Sequence, residues 1–162
     1  MSAEAVIEVV IAEQRLRLWR GDEPVRDYAV ATAANGAGEE EGSFRTPRGW
    51  HRIRAKIGGG CPEGTVFVGR RATGERYSPA LRQQAPERDW ILTRILWLCG
   101  EEPGRNRFGR VDTMRRYVYI HGAPDEDPMG VPSSKGCIKM RGADIIDLFE
   151  RVPAGTRVLI KE

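Results

Sequence analysis

Short segments that alternate between apolar and charged residues recur along this chain, and they restrict its fold more than any other feature. Residues 15–18 read RLRL, and residues 52–57 read RIRAKI. A period of two puts successive side chains on opposite faces of a β-strand, so each segment fits a strand with one buried and one solvated face. The pattern therefore predicts a mainly β fold.

Other segments rich in β-branched, aromatic or aliphatic residues extend this prediction. The strands that we expect from them lie at residues 6–19, 25–30, 65–68, 117–120 and 157–160. The turn residues RGDEP, at 20–24, join the first two into a hairpin. Residues 90–98 are apolar enough for a buried strand or a helix, and periodicity does not distinguish the two.

Clear helical periodicity occurs once, near the carboxyl end. The apolar residues that share one helical face are Ile145, Leu148, Phe149 and Val152, and Pro153 ends the pattern. Three long polar or glycine-rich segments are expected to be loops: residues 35–49, 70–89 and 99–112. Loops of this length usually serve a site.

Composition and length restrict the class of protein. The 162 residues suffice to bury one core, so we expect a single domain over residues 1–162. The net charge is only +3, and the arginines are scattered rather than gathered on one face, which argues against a nucleic-acid partner. No apolar run approaches the ~20 residues that a membrane span requires.

The amino-terminal residues lack the features of an export signal. The first basic residue is Arg15, and Glu4, Glu8 and Glu13 interrupt the apolar run. We therefore expect a cytoplasmic location, or a periplasmic one if the chain is a piece of a longer exported protein.

The three cysteines occupy different surroundings. An odd number of cysteines without an export signal favours free thiols. Cys99 follows an apolar run and is expected to be buried, whereas Cys61 lies in the glycine-rich segment GGGCPEG. Cys137 follows a glycine shortly before the predicted helix, where a thiol can be activated.

His121 and Cys137 lie 16 residues apart in a chain with only two histidines and three cysteines. A zinc site needs three or four closely spaced ligands, and the sequence does not offer them. The acidic run at residues 125–128 lacks the alternating ligands of a calcium loop. We therefore predict no metal and no other cofactor.

A catalytic pair is the second interpretation of these two residues. An imidazole can lower the pKa of a nearby thiol or accept its proton, which makes the thiol a nucleophile. Gly122 and Gly136 flank the pair and allow unusual backbone conformations, and an amide near Gly136 could stabilise an oxyanion. Spacing alone leaves a third possibility open, a buried thiol and a loop histidine that never meet.

The motifs around these residues resemble a known family. IHG, at residues 120–122, followed by SKGCIKM, at 134–140, is similar to the signature of the L,D-transpeptidase catalytic domain, the YkuD-like family. TPRG at 46–49 and PAGTRVLI at 153–160 resemble its conserved turn and closing strand, and residues 12–19 resemble its opening strand. The resemblance implies a β-sandwich or barrel with long loops and one late helix.

The resemblance also implies roles for single residues. Cys137 matches the nucleophile, and His121 matches the general base and ion-pair partner of its thiolate. The carbonyl of Gly122 would orient the imidazole, the amides of Gly136 and Cys137 would form the oxyanion hole, and Ser134 would shape the loop or contact substrate. Lys135 and Lys139 depart from the commonest family pattern, so the resemblance does not determine the local charge around the thiolate.

Family members act on the peptide stems of peptidoglycan, so the resemblance implies stem peptides or muropeptides as substrates. The stems carry carboxylates, and the candidate cations for binding them are Arg94, Arg115, Arg116, Lys139 and Arg141. The implied reaction cleaves after the third, diamino acid residue and releases D-alanine. Transfer to an amine is transpeptidation, and transfer to water is L,D-carboxypeptidation, which would suit muropeptide recycling. A non-catalytic muropeptide-binding module is the alternative.

Overall fold

The computed structural model describes residues 4–162, and the polypeptide in this range is mainly β. The strands are β1 (Ala5–Val10), β2 (Arg15–Arg20), β3 (Glu23–Ala31), β4 (Gly49–Ile57), β5 (Thr65–Val68), β6 (Arg71–Arg76), β7 (Ile91–Gly100), β8 (Tyr119–Ala123), β9 (Ile138–Arg141) and β10 (Arg157–Lys161). The helices are α1 (Pro79–Gln84) and α2 (Gly142–Arg151).

Eight of the strands close into a ring. The hydrogen-bonded order β4-β10-β1-β2-β3-β9-β8-β7 returns to its start because β7 also pairs with β4. The β5–β6 hairpin extends from β7, beside the residues of β7 that precede its pairing with β4. This closed arrangement matches the barrel expected from the sequence.

The apolar faces of the strands point into the ring and form one main core. Leu16 and Leu18 of β2 alternate with exposed or half-buried arginines, as the sequence predicts. Helix α2 adds Ile145 and Leu148 to the same core, and both are fully buried. The late helix and its buried face are therefore confirmed.

Residues 6–19 form two strands rather than the single predicted strand. A turn at residues 11–14 separates β1 from β2, and Gln14 adopts a positive φ of 52° there. The Gln14 amide is buried and donates to the Ile11 carbonyl and the Thr32 hydroxyl, at 2.8 and 2.7 Å. This turn is held by a buried polar side chain, so the apolar pattern does not reveal it.

The expected loop at residues 70–89 contains two regular elements. β6 has no buried residue and pairs only with β5, so it lacks the alternation that identifies a strand. α1 begins at Pro79, and the Ser78 hydroxyl accepts a hydrogen bond from the Leu81 amide at 3.1 Å. That Ser-Pro pair is a helix-start signal, and it could have predicted α1.

Candidate active site

Strands β8 and β9 bring His121 and Cys137 to one face of the sheet. The two strands are parallel, with Ile120 beside Ile138 and His121 beside Lys139. Side chains alternate along a strand, so Ile120 and Ile138 point into the core while His121 and Cys137 point outwards. His121 therefore lies within β8 rather than at its end, and Cys137 precedes a strand rather than a helix, contrary to both sequence predictions.

The two side chains line the same cavity of about 410 Å³. Its wall comes from the segment before β9, the segment before β8 and the loop that precedes β4. The other lining residues are Glu41, Gly42, Phe44, Asp89, Arg115, Arg116, Tyr117, Val118, Ser134, Lys135, Gly136 and Lys139. The thiol and the imidazole thus face the same space, from positions on or next to two neighbouring strands.

Hydrogen bonds define the resting state of both groups. The Cys137 thiol donates to the Tyr117 carbonyl at 3.5 Å and accepts from the Tyr119 amide at 3.3 Å. His121 Nδ1 lies 2.7 Å from the Gly122 carbonyl oxygen. A carbonyl only accepts, so Nδ1 carries the proton and Nε2 keeps its lone pair. The predicted contact between the Gly122 carbonyl and the imidazole is present.

Burial favours the neutral form of each group. It raises the pKa of the Cys137 thiol to about 12 and lowers the pKa of His121 below its usual value. Both directions oppose the thiolate–imidazolium ion pair expected from the family resemblance. Burial thus favours a protonated thiol and a neutral imidazole in the resting site.

Two glycines are required by close packing and backbone conformation. A Cβ atom at Gly122 would lie 2.6 Å from the Leu92 carbonyl oxygen and 3.2 Å from Ile145 Cγ2. Gly136 has a φ of 134°, which side-chain-bearing residues rarely adopt. Both glycines thus fix the backbone beside a candidate catalytic residue.

Ser134 organises the segment before Cys137. Its hydroxyl donates to the Cys137 carbonyl at 2.5 Å and accepts from the Gly136 amide at 3.1 Å. The Thr46 hydroxyl, in the TPRG turn, donates to the Gly136 carbonyl at 2.9 Å. The Gly136 amide is thus already bonded, which leaves the Cys137 amide as the better candidate for an oxyanion donor.

The candidate cations that line the cavity differ in their availability. Lys139 pairs with Asp127 at 3.2 Å. Arg116 donates to the carbonyls of Glu39 and Arg45, at 3.1 and 2.6 Å, and so holds the loop before β4. Arg115 forms no ion pair within residues 4–162. Of these three cations, Arg115 is the most available to a ligand.

Two predicted cations lie outside the cavity. Arg94 is buried, donates to the Cys61 carbonyl at 2.8 Å and lies over the ring of Phe149 in α2. Thr93, with a φ of 76°, and Arg94 form an irregularity in the pairing of β7 with β8, so Arg94 points towards the helix. Arg141 is exposed where β9 meets α2, about 13 Å along the strand from Cys137.

Sequence reasoning missed the acidic and aromatic residues of the cavity. The negative charge of Asp89 acts to raise the pKa of both Cys137 and His121. For Cys137 it adds to the larger effect of burial. For His121 it opposes burial, which lowers the pKa and has the larger effect. Tyr117 lines the cavity, and Arg70, which lies outside the lining, sits over the rings of Tyr117 and Trp97. No local motif marks these residues, because loops distant in sequence bring them together.

No cluster of histidine, cysteine or acidic residues suited to a metal occurs within residues 4–162. Neither α1 nor α2 is long and apolar enough to cross a membrane.

The model of the family described as "YkuD: L,D-transpeptidase catalytic domain" matches residues 4–160. The chain belongs to this family. Its motif segments, IHG and SKGCIKM, contribute His121, Cys137 and four further residues to the lining of the cavity described above.

Curated relatives of the L,D-transpeptidase family share short segments with the chain. A putative L,D-transpeptidase of Bacillus subtilis, YqjB, is 40% identical over 55 residues, which cover 34% of this chain and 31% of the relative. A probable L,D-transpeptidase of Escherichia coli, YbiS, is 46% identical over 43 residues, which cover 26% of this chain and 14% of the relative. The chain thus spans less than a third of the length of each of these two relatives.

Solved L,D-transpeptidases share the fold of this chain. One from Mycobacterium smegmatis superposes with a TM-score of 0.57 and 16% identity, over 99% of this chain and 59% of that one. A C442S mutant of the Enterococcus faecium L,D-transpeptidase superposes with a TM-score of 0.58 and 16% identity, over 97% of this chain and 49% of that one. The mainly β fold of the family is thereby confirmed for this chain.

Proposed function

We propose that this protein catalyses cysteine-dependent acyl transfer on peptidoglycan stem peptides. The observation that supports this most strongly is the shared cavity of Cys137 and His121, with Nδ1 of the imidazole bonded to the Gly122 carbonyl. Family membership supports the substrate class. A non-catalytic binding module would have no need of a thiol and an oriented imidazole in one cavity.

The proposed reaction begins when the Cys137 sulfur attacks the carbonyl of the third stem residue, a diamino acid. His121 Nε2 takes the thiol proton as the C–S bond forms, since burial keeps the imidazole neutral and the thiol protonated. The Cys137 amide stabilises the oxyanion. The C–N bond then breaks, His121 returns the proton to the departing D-alanine amine, and a thioester remains on Cys137.

Water is the proposed acceptor of this thioester. The charged residues Asp89, Glu41, Arg115 and Lys135 line the cavity, which is open to solvent rather than enclosed. Water competes well with an amine unless a pocket excludes it. We therefore propose that L,D-carboxypeptidation exceeds transpeptidation on soluble muropeptides.

Product analysis tests this proposal. A disaccharide tetrapeptide is incubated with the protein, with and without a D-amino acid, and the products are identified by mass spectrometry. Tripeptide and D-alanine should dominate when no amine is added. Dimers or exchange products as the main species would assign transpeptidation instead, and an unchanged tetrapeptide would contradict the proposed function.

A further inference from the structure

A second cavity of about 480 Å³ lies beside the proposed active site. It lies between the outer face of β4 and β7 and the segment after β7. Its cationic lining residues are Arg52, Arg54, Arg107 and Arg115. We propose that this cavity binds an oxyanionic group, a phosphate or a carboxylate, of the substrate that reacts at Cys137. The identity of that substrate rests on the function proposed above.

Strand register places both cavities on the same face of the sheet. Arg52 lies beside Cys99, and Trp97 lies beside Tyr119 on the next strand. Tyr119 donates its amide to the Cys137 thiol, so the outer face runs continuously from Arg52 to Cys137. One bound molecule can therefore contact both cavities without crossing the barrel.

Arg115 contributes to the wall of both cavities. The preceding residue, Met114, accepts a hydrogen bond from Trp97 Nε1 at 3.2 Å, which fixes this segment over the sheet. The Arg115 amide donates to Asp112 Oδ1 at 3.0 Å. The backbone at the boundary is thus held while the guanidinium stays exposed.

The acidic residues of the second cavity already have partners. Glu101 pairs with Arg52 and with Arg157. Asp112 accepts from the amides of Phe108 and Arg115, at 2.7 and 3.0 Å. The oxygens of both carboxylates are therefore engaged, and the four arginines that line the cavity outnumber its two carboxylates.

Three guanidinium groups of the cavity consequently have no acidic partner within residues 4–162: those of Arg54, Arg107 and Arg115. The planar fork of arginine matches carboxylate and phosphate oxygens, and a bound anion would relieve the repulsion between the three. A cationic or neutral ligand would neither form paired charged hydrogen bonds with the guanidinium groups nor relieve the repulsion between them. The charge distribution thus selects an oxyanion.

Phe108 supports a binding role for the same cavity. It has a φ of 73° and a ψ of 158°, a conformation that residues other than glycine rarely adopt, and its side chain is 56% exposed. Backbone strain of this kind clusters at binding sites. Its ring lies under the Arg107 guanidinium, at 4.7 Å from the centroid, and gives the cavity an apolar wall.

The test compares the Arg54→Gln/Arg107→Gln double variant with the wild-type protein. The matched control, Arg71→Gln/Arg110→Gln, removes two exposed arginines that line neither cavity. Steady-state kinetics are measured with a disaccharide tetrapeptide and with a nucleoside-diphosphate-linked tetrapeptide. Loss of charged hydrogen bonds should raise KM about 10-fold or more in the double variant, with kcat within about twofold and the control unchanged.

Binding of simple anions separates this inference from the proposed function. Calorimetric titration of the wild-type protein uses inorganic pyrophosphate in one arm and a small tricarboxylate in the other. Binding of either anion that is lost in the double variant supports the subsite, even if no muropeptide is processed, and the arm that binds identifies the source of the oxyanion. Absence of binding in both arms, or an unchanged KM with a processed substrate, would overturn the inference.

Discussion

At the scale of single residues, we expect the charge of Asp89 to lower the reactivity of Cys137. Its negative charge adds to burial in raising the pKa of the thiol. Asp89→Asn should therefore lower that pKa and speed alkylation of Cys137 by iodoacetamide near neutral pH, as followed by intact mass against pH. The control is Asp22→Asn in the exposed β2–β3 turn. Slower alkylation in Asp89→Asn would contradict the electrostatic account.

The sequence motifs bring the candidate catalytic pair into one cavity, whereas two of the candidate binding residues, Arg94 and Arg141, lie outside it. His121, Gly122 and Cys137 lie in two short motifs on or next to neighbouring strands, so a short stretch of sequence is enough to identify each of them as a candidate. Arg94 could not be assigned, because the irregularity at Thr93 directs its side chain towards α2. Whether a cation is free to bind a ligand depends on its hydrogen-bond and ion-pair partners within the protein. Those partners lie far away in the sequence.

At the scale of secondary-structure elements, β8 can hold His121 in place only if α2 and β7 approach it closely. Gly122→Ala would place a Cβ atom 2.6 Å from the Leu92 carbonyl oxygen and so push β8 away from β7. Overpacking of this kind costs about 1–3 kcal/mol. We expect a lower free energy of unfolding and a larger loss of kcat than of substrate affinity.

Gly59→Ala is the matched control for this variant. A Cβ atom there would meet Phe149 at 3.5 Å, an ordinary contact. Chemical denaturation and steady-state kinetics should leave it close to wild type. Equal stability and activity of Gly122→Ala and Gly59→Ala would show that close packing at β8 is not required.

Strands and helices could be predicted from the sequence where one face of the element is buried and the other is exposed. β2, β4 and α2 show clear apolar periodicity and were predicted. β6 has no buried residue, and the turn at residues 11–14 depends on the buried Gln14 amide, so neither has an apolar signal. Register, and with it the meeting of the two cavities on one face, follows from strand pairing and is not contained in any single segment.

At the scale of the whole molecule, stability should depend on the protonation of His51. This residue is fully buried, and burial lowers its pKa to about 4. Since its pKa is near 6.5 in an unfolded chain, the unfolded state binds the proton first as pH falls. The free energy of unfolding should therefore decrease by about 2 kcal/mol from His51 between pH 7 and pH 5.

Urea denaturation across this pH range measures the effect, and proton NMR titration assigns it to the His51 ring. His51→Gln should show a weaker pH dependence than the wild-type protein. A His51 ring that titrates near pH 6.5 in the folded protein, or a free energy of unfolding that does not fall, would contradict this prediction.

The proposed mechanism requires that Cys137 alone forms the acyl-enzyme. Intact-mass spectrometry of the protein quenched during turnover of a disaccharide tetrapeptide tests it directly, with Cys61→Ala as the matched control thiol variant. We expect a disaccharide-tripeptide adduct on wild type and Cys61→Ala, mapped to Cys137, and neither adduct nor turnover with Cys137→Ala. Turnover by Cys137→Ala, or an adduct mapped to Cys61 or Cys99, would contradict it.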